Sequence, residues 1–164
     1  MRRIKDVFLD KIEAEISLLT TSVLEIGCGN GNRSAAIASR CQKFTGIDPD
    51  PSNVSEAQKQ KIGNATFEVS SAEKIDFNEN IFDIVMFTLS LHHVPVKNMH
   101  LAIDEAIRVV THSGYIIFLE PTEEGSFFEA EIKFDACDGD ERVNKRAAYK
   151  AIYEHPKLEL VKEL

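Results

Sequence analysis

The 164-residue chain has few cysteines, no tryptophan and no long apolar run. Its three cysteines, Cys28, Cys41 and Cys137, are odd in number and include no Cys-x-x-Cys pair. This argues against a disulfide framework or a cysteine zinc site and favours a reducing cytoplasm as the location. The longest apolar stretch, residues 81–91, is interrupted by polar residues and is too short to span a bilayer. The first residues lack the apolar core of a secretory signal.

Clustered basic residues are also scarce. The net charge is −8, and no basic run exists apart from Arg2, Arg3 and Lys5. Because a phosphate backbone is bound by clustered Lys and Arg side chains, we do not expect general nucleic-acid binding. The charge alone leaves both a small-molecule and a protein substrate open, and the small-molecule substrate is the partner we expect. The composition, 43% hydrophobic and 28% charged, suits one domain with one core.

The chain does contain a regular alternation of strand and helix patterns. Short apolar or β-branched runs predict strands over residues 23–26, 43–48, 65–70, 82–87 and 114–119. Apolar residues at helical spacing predict helices over residues 6–20, 32–40, 51–62 and 98–110. Apolar strands separated by helices are typical of a parallel sheet covered on both faces, and right-handed crossovers then give a doubly wound α/β fold.

From residue 120 the pattern changes to an acidic stretch, followed by a predicted helix over 140–153 and a short sixth strand over 158–161. We expect a single domain over residues 1–164, with an N-terminal helix (1–20), a core (21–121) and an acidic loop plus C-terminal helix (122–164). Residues 135–141 superficially resemble a calcium loop. The ligand spacing fails there, so no calcium site is expected.

A glycine-rich turn lies between the first predicted strand and its helix, where residues 25–31 read Glu-Ile-Gly-Cys-Gly-Asn-Gly. Glycine tolerates positive φ and lets a ligand approach bare backbone. The dinucleotide pattern G-x-G-x-x-G requires a glycine at position 32, which is asparagine here. No Gly-Lys-Ser/Thr follows, which excludes a P-loop. The alternative that this turn binds no ligand stays open.

Two acidic residues accompany this turn. Glu25 stands two residues before the first glycine and suits a ligand with a positive end, such as the amino group and sulfonium of S-adenosylmethionine. Asp48 ends the second predicted strand, where a carboxylate can accept both hydroxyls of a ribose. The alternative for Asp48 is a cap of the turn that precedes Pro51.

Five ordered segments resemble class I S-adenosylmethionine-dependent methyltransferases: residues 23–31, 46–49, 71–74, 82–94 and 105–117. The nearest subgroup is the ubiquinone/menaquinone-biosynthesis-like set (methyltransferase type 11), which mostly modifies small molecules. The resemblance implies a Rossmann-like, mostly parallel sheet in the order 3-2-1-4-5 with a shortened C-terminal edge. It also implies S-adenosylmethionine as cofactor and S-adenosylhomocysteine as product.

The resemblance also implies which residues bind the cofactor. Glu25 and the loop amides would hold the methionine end, Asp48 the ribose, residues 71–73 the adenine, and the backbone at 88–89 would flank the sulfur. Ser71 departs from the family, which usually has an acid or amide there, and its hydroxyl is a weaker acceptor. The implied cofactor-binding residues are Glu25, Gly27, Cys28, Gly29, Gly31, Asp48, Pro49, Ser71, Ala72, Glu73, Thr88 and Leu89.

His92 and His93 follow the fourth predicted strand and are the candidate catalytic residues. An imidazole titrates near neutral pH, so either one is a candidate general base. The alternative is that they shape the loop and pack against the next helix. A nucleophilic role for Cys28 would need an activating base nearby. The acidic ligand of metal-dependent catechol-type enzymes is missing from this loop, so no metal site is expected.

The expected function is methyl transfer to a small-molecule acceptor by in-line displacement without a metal. The alternative is a non-catalytic or partner-dependent cofactor-binding module. Family members usually add two more strands that help to wall the acceptor pocket, whereas only residues 120–164 follow the fifth predicted strand. An apolar sheet edge left open would favour a homodimer.

Overall fold

The computed structural model describes residues 6–121 and 140–164. The strands are β1 (Ser22–Ile26), β2 (Lys43–Asp48), β3 (Ala65–Val69), β4 (Phe82–Thr88) and β5 (Val110–Leu119). The α-helices are α1 (Val7–Glu15), α2 (Ser34–Ala38), α3 (Pro51–Lys59), α4 (Met99–Val109) and α5 (Arg142–Tyr153). Two short 3-10 turns, Leu91–His93 and Val96–Asn98, link β4 to α4. Within these residues, none of the helices has the length and apolar character needed to cross a membrane.

All five strands form one sheet in the order β3-β2-β1-β4-β5, and every neighbouring pair is parallel. This confirms the predicted doubly wound α/β fold and its strand order. The chain runs outward from β1 through β2 and β3, then returns to place β4 on the other side of β1. In such sheets a crevice opens at the carboxyl ends of the strands where successive strands begin to be added on the opposite side, which is here between β1 and β4.

Local sequence signals start two of the helices. The Asp6 carboxylate accepts hydrogen bonds from the backbone N–H groups of Phe8 and Leu9 and caps α1. Asp50 caps α3 in the same way by accepting from the N–H of Ser52, and Pro51 occupies the first helical position. These caps satisfy amide groups that have no partner inside the helix.

Both faces of the sheet are covered by helices. In β4, Val85 and Phe87 pack into the cluster that includes α4 and α5, whereas Ile84 and Met86 pack into the cluster formed with α1, α2 and α3. Because side chains alternate across a strand, a strand buried on both faces must be apolar at nearly every position. This explains why the central strands read as continuous apolar runs.

Three details differ from the sequence-based expectations. The predicted strand over 158–161 is wrong, since residues 156–164 form no strand and Leu160 and Val161 are exposed. Helices α1, α2 and α3 are shorter than predicted, and β5 begins at Val110, directly after α4, rather than at Gly114. The apolar pattern at 158–161 is too short to bury a face against a neighbouring strand. The acidic segment over 122–139, with Cys137 and most of the calcium-like stretch, lies outside the described residues.

Candidate functional site

The glycine turn follows β1 and has a left-handed backbone at all three glycines, with φ of +75° at Gly27, +53° at Gly29 and +79° at Gly31. A Cβ added to Gly27 would lie 2.5 Å from Cβ of Ser90, so the turn touches the loop after β4. A Cβ added to Gly29 would meet no atom within 4 Å. Gly27 is therefore required by close packing, whereas Gly29 borders open space that a ligand can occupy.

The backbone amides of this turn donate within the chain. Gly27 and Cys28 both donate to the carbonyl of Ile47, at 2.8 and 2.9 Å, and Gly29 donates to the carboxylate of Asp48 at 2.9 Å. A contact of the loop amides with the cofactor stays a prediction, and these bonds within the chain define the shape of the turn. The reason is the sheet register, because Ile26 lies opposite Ile47 and the next amides extend the pairing of β1 with β2. The turn is thus shaped before any ligand binds.

Asp48 is 7% exposed and accepts three hydrogen bonds. Its donors are the N–H of Gly29 at 2.9 Å, the N–H of Asp50 at 3.0 Å and the side-chain amide of Asn53 at 3.1 Å. The capping alternative is therefore part of its role, because the carboxylate joins the glycine turn to the start of α3. An ionised carboxylate offers about four acceptor positions, which leaves capacity for a ribose hydroxyl. Pro49 follows Asp48 at the exposed surface.

Glu25 lies beneath the glycine turn and is 1% exposed. Ser34 donates to one carboxylate oxygen at 2.6 Å, and Thr88 donates to the other. Burial raises the pKa of Glu25, while these two hydrogen bonds and the charge of Arg33 oppose that rise. Glu25 therefore joins β1, α2 and β4 through its side chain. Its predicted contact with the positive end of the cofactor stays a prediction.

The segment predicted to meet the adenine follows β3 on the same edge of the sheet. Ala72 is buried, and Ser71 and Glu73 are partly exposed. The Glu73 carboxylate accepts a hydrogen bond from the Asn98 side chain at 3.1 Å. The residue before this segment donates its N–H to the carbonyl of Asp48 at 3.1 Å. The structure thus brings the predicted adenine and ribose residues next to each other.

The backbone is strained where β4 ends. Leu89 has φ of +60°, a conformation that is unusual for leucine, and its side chain is 40% exposed. Its N–H donates to the carbonyl of Leu119 at 2.7 Å, and the Ser90 hydroxyl donates to the carbonyl of Ile26 at 2.6 Å. These bonds to β5 and β1 hold the turn in place. Strained residues of this kind cluster at functional sites.

His92 and His93 follow this turn, and each faces a carboxylate. His92 is 3% exposed, and its Nδ1 lies 2.5 Å from Oε2 of Glu120. The other oxygen of Glu120 accepts from the N–H of Leu91 at 2.9 Å. Glu141, which precedes α5, lies 3.6 Å from Nε2 of His92 and 3.5 Å from Nδ1 of the half-exposed His93. His92 is therefore oriented by Glu120, and it also packs within the loop as the alternative expects.

Sequence reasoning missed the part played by Glu120. It placed this residue in the acidic run after the fifth strand and assigned that run no role. A usable signal did exist, because Glu120 comes directly after β5, and β5 lies beside β4 in the sheet. The carboxyl ends of adjacent parallel strands meet at one edge, so an acid there can reach the loop after β4.

Cys28 is not suited to act as a nucleophile. Burial, followed by the negative charges of Glu25 and Asp48, raises the pKa of the Cys28 thiol to about 12. Since the thiolate is the reactive form, the protonated thiol at neutral pH is inert.

Comparison with known proteins identifies related chains. A family profile described as a methyltransferase domain matches residues 24–118. The chain is 28% identical to the uncharacterized methyltransferase YcgJ of Bacillus subtilis over 102 residues. This aligned segment covers 60% of this chain and 40% of YcgJ. It is 27% identical to the ubiquinone/menaquinone biosynthesis C-methyltransferase UbiE of Rickettsia felis over 137 residues. That segment covers 76% of this chain and 54% of UbiE.

The crystal structure of YcgJ from Bacillus subtilis superposes with a TM-score of 0.60 at 27% identity, covering 69% of this chain and 49% of that chain. The chain spans about half the length of the curated relatives it matches. The matched segment runs from β1 through most of β5 and contains the glycine turn, Asp48 and the loop after β4, whereas Glu120 and Glu141 lie beyond it. The predicted family and its cofactor, S-adenosylmethionine, are confirmed: the chain belongs to the class I S-adenosylmethionine-dependent methyltransferases of the ubiquinone/menaquinone-biosynthesis-like type.

Proposed function

We propose that the chain transfers a methyl group from S-adenosylmethionine to a small-molecule acceptor. One observation carries this proposal: the open backbone at Gly29 is tied directly to the carboxylate of Asp48. This bond supports the proposal because it holds open space beside Gly29 next to a carboxylate of the kind that accepts ribose hydroxyls, at the carboxyl edge of the sheet. The printed name of UbiE, which refers to ubiquinone and menaquinone biosynthesis, supports a small acceptor.

The residues present fit this cofactor. Asp48 retains acceptor capacity for the ribose, and residues 71–73 lie beside it for the adenine. Glu25 acts on the positive methionine end through its buried negative charge, while Ser34 and Thr88 each donate one hydrogen bond to its carboxylate and hold it in place. A buried charge is screened less than an exposed one, so it acts effectively over a few ångströms.

When bound, S-adenosylmethionine supplies a methyl group already activated by the sulfonium. The protein's task is then to position the acceptor, exclude water and accept a proton. The exposed side chain of Leu89 and the turn that carries it flank the reacting centre. No metal is needed in this mechanism, since the leaving group is neutral.

His92 is the proposed general base. Donation of its Nδ1–H to Glu120 leaves the lone pair on Nε2, which is the atom that takes the acceptor's proton. Glu120 is a positioning residue, because it acts through His92. His93 is half-exposed and lies 3.5 Å from Glu141, so it is the less confined of the two histidines and the second candidate for this role.

Three further expectations stand as proposals beside this one. A cytoplasmic location agrees with the free thiols of Cys28 and Cys41. A homodimer and the lack of general nucleic-acid binding rest on the sequence arguments alone. The alternative of a cofactor-binding module without turnover is less well supported, because such a module needs no oriented His92.

Calorimetry with S-adenosylhomocysteine followed by a transfer assay tests the proposal. The purified chain is expected to bind one equivalent in the micromolar range. With labelled S-adenosylmethionine and a metabolite extract, it is expected to produce a labelled small molecule. Binding without any labelled product would favour the module. Absence of binding in a chain shown to be folded by circular dichroism would overturn the proposed function.

A further inference from the structure

Three side chains with metal-binding chemistry converge beside the loop after β4. The nitrogens of His92 and His93 and a carboxylate oxygen of Glu141 lie within 4.8 Å of one another. The two imidazole rings are 4.1 Å apart between centroids and are tilted by 40°. We propose that His92, His93 and Glu141 bind a divalent transition-metal ion, and that Zn²⁺ is the ion their chemistry fits best. Two imidazoles and one carboxylate favour Zn²⁺ over Mg²⁺ or Ca²⁺, which prefer oxygen ligands.

The separations within the cluster fit metal ligands better than hydrogen-bonded partners. Nε2 of His92 lies 3.6 Å from one oxygen of Glu141, and Nδ1 of His93 lies 3.5 Å from the other. A good hydrogen bond from nitrogen to oxygen spans about 2.7–3.2 Å. Two ligands placed about 2.0–2.1 Å from a tetrahedral Zn²⁺ are separated by about 3.4 Å. The two distances involve different oxygens of Glu141, and the ligand atoms of all three residues lie within 4.8 Å of one another. Rotation of the Glu141 carboxylate and of the His93 ring would bring the three ligand atoms to this separation.

Glu120 prepares His92 for this role. It lies 2.5 Å from Nδ1 of His92 and is itself held by the N–H of Leu91. Donation of the Nδ1 proton to Glu120 leaves the lone pair on Nε2, which faces Glu141. A histidine that binds a metal usually donates its other ring N–H to a carboxylate or carbonyl in this way. The cluster therefore has an outer partner as well as three ligands.

Solvent access to the cluster and the positive charge of Lys145 both affect metal binding. The half-exposed His93 opens the cluster to solvent, and three protein ligands leave a fourth position for water. Lys145 lies 3.5 Å from Glu141, and its side chain is nearly buried. Its positive charge opposes a cation, so the substitution Lys145→Met is expected to tighten metal binding. The competing explanation is a doubly protonated His92 held between Glu120 and Glu141, with no affinity for metal.

The effect of a bound ion on methyl transfer rests on the proposed function, whereas the existence of the metal site does not depend on it. A bound ion occupies Nε2 of His92, the same atom that would take the acceptor's proton. The ion is therefore not a cofactor of the reaction, and its binding is expected to lower the rate of methyl transfer. The cluster would act as an inhibitory site next to the acceptor.

Direct metal titration tests the site without relying on activity. The full chain, free of any affinity tag and carrying Cys137→Ser, is titrated with Zn²⁺ by calorimetry and with Co²⁺ by visible absorption. We expect one equivalent to bind and the Co²⁺ spectrum to show four-coordinate geometry. His93→Gln and Glu141→Gln are each expected to weaken binding by about tenfold or more. The control His112→Gln alters an exposed histidine outside the cluster and is expected to leave the affinity unchanged.

The outcomes separate this inference from the proposed function. S-adenosylhomocysteine binding is measured on the same samples, and folding is checked by circular dichroism. Cofactor binding with no metal binding, or with equal metal affinity in wild type, His93→Gln and Glu141→Gln, overturns the metal site alone. Metal binding that depends on these residues supports the site even where cofactor binding fails. If one variant does not fold, the other decides.

Discussion

The proposed site has two halves, a cofactor half and an acceptor half, and different kinds of contact hold them together. In the cofactor half, at the ends of β1 and β2, backbone register fixes the glycine turn and Asp48 joins it by one hydrogen bond. In the acceptor half, at the ends of β4 and β5, side chains make the decisive contacts: His92 meets Glu120 and Glu141. The cofactor half is therefore fixed by the sheet itself, whereas the acceptor half depends on side chains that can change without altering the fold.

This difference has a functional meaning. A common cofactor needs the same geometry in every member of a family, which strand pairing provides. An acceptor differs between enzymes, and side chains on loops and helix ends can vary to suit it. Substitutions in the two halves should accordingly separate stability and cofactor affinity from turnover.

The largest expected effect comes from Gly27→Ala. The added Cβ would clash with Ser90, which is anchored by a hydrogen bond to the carbonyl of Ile26. In addition, the backbone at residue 27 has a left-handed φ, which strains any residue other than glycine. The free energy of unfolding is expected to fall by about 3 kcal/mol, from backbone strain plus overpacking. Gly29→Ala is the matched control, since its Cβ meets open space, and it should cost only about 1 kcal/mol. Equal losses in chemical denaturation would contradict this account of the turn.

Asp48→Ala is expected to lower the affinity for S-adenosylhomocysteine by about 100-fold, because bonds to a charged acceptor are lost at the ribose and at the Gly29 amide. Calorimetry measures the change. Asp50→Asn is the control, since it retains a cap for α3 and should bind the cofactor product as wild type does. An unchanged affinity in Asp48→Ala would remove the ribose assignment.

Glu120→Gln tests the acceptor half. The amide no longer stabilises a charged His92, so kcat is expected to fall by about tenfold or more, while the affinity for S-adenosylhomocysteine stays the same. Transfer assays over a range of acceptor concentrations separate kcat from KM. If Glu120→Gln lowered the cofactor affinity as well as kcat, the two halves would be coupled, and the contrast drawn between them would be wrong.

The smallest effect is expected from Glu25→Gln, and it depends on pH. Because burial raises the pKa of Glu25 above its ordinary value of 4.5, the folded chain binds this proton more tightly than the unfolded chain does. The stability that this group contributes is present below pH 4.5 and is lost as the pH rises through the folded-state pKa. We expect urea unfolding to show that the free energy of unfolding of Glu25→Gln rises relative to that of the wild type as the pH rises. A difference that does not vary with pH would contradict the raised pKa.

Much of the fold could be predicted because its signals are local. Apolar runs predicted β1 to β4 within about two residues of their observed bounds, and the helical pattern placed the start of α3 at Pro51, where it is observed. The start of β5 was missed, since β5 follows α4 without an intervening loop. The expected strand over 158–161 failed because a short alternating pattern becomes a strand only where a neighbouring strand can pair with it.

The sequence by itself determined the glycine turn, the place of Asp48 and the doubly wound fold class, because each depends on residues that are adjacent in the chain or on general rules of chain connection, and the family resemblance supplied the order of the strands. Only the tertiary structure decided that the turn amides bond to Ile47 and Asp48, that Glu25 is buried beneath Ser34 and Thr88, and that Glu120 and Glu141 face His92. Except for Glu25 and Ser34, these partners lie far apart in the chain. Their meeting depends on the pairing of β1 with β2 and β4, on the pairing of β4 with β5, and on where α5 begins, which no local pattern specifies.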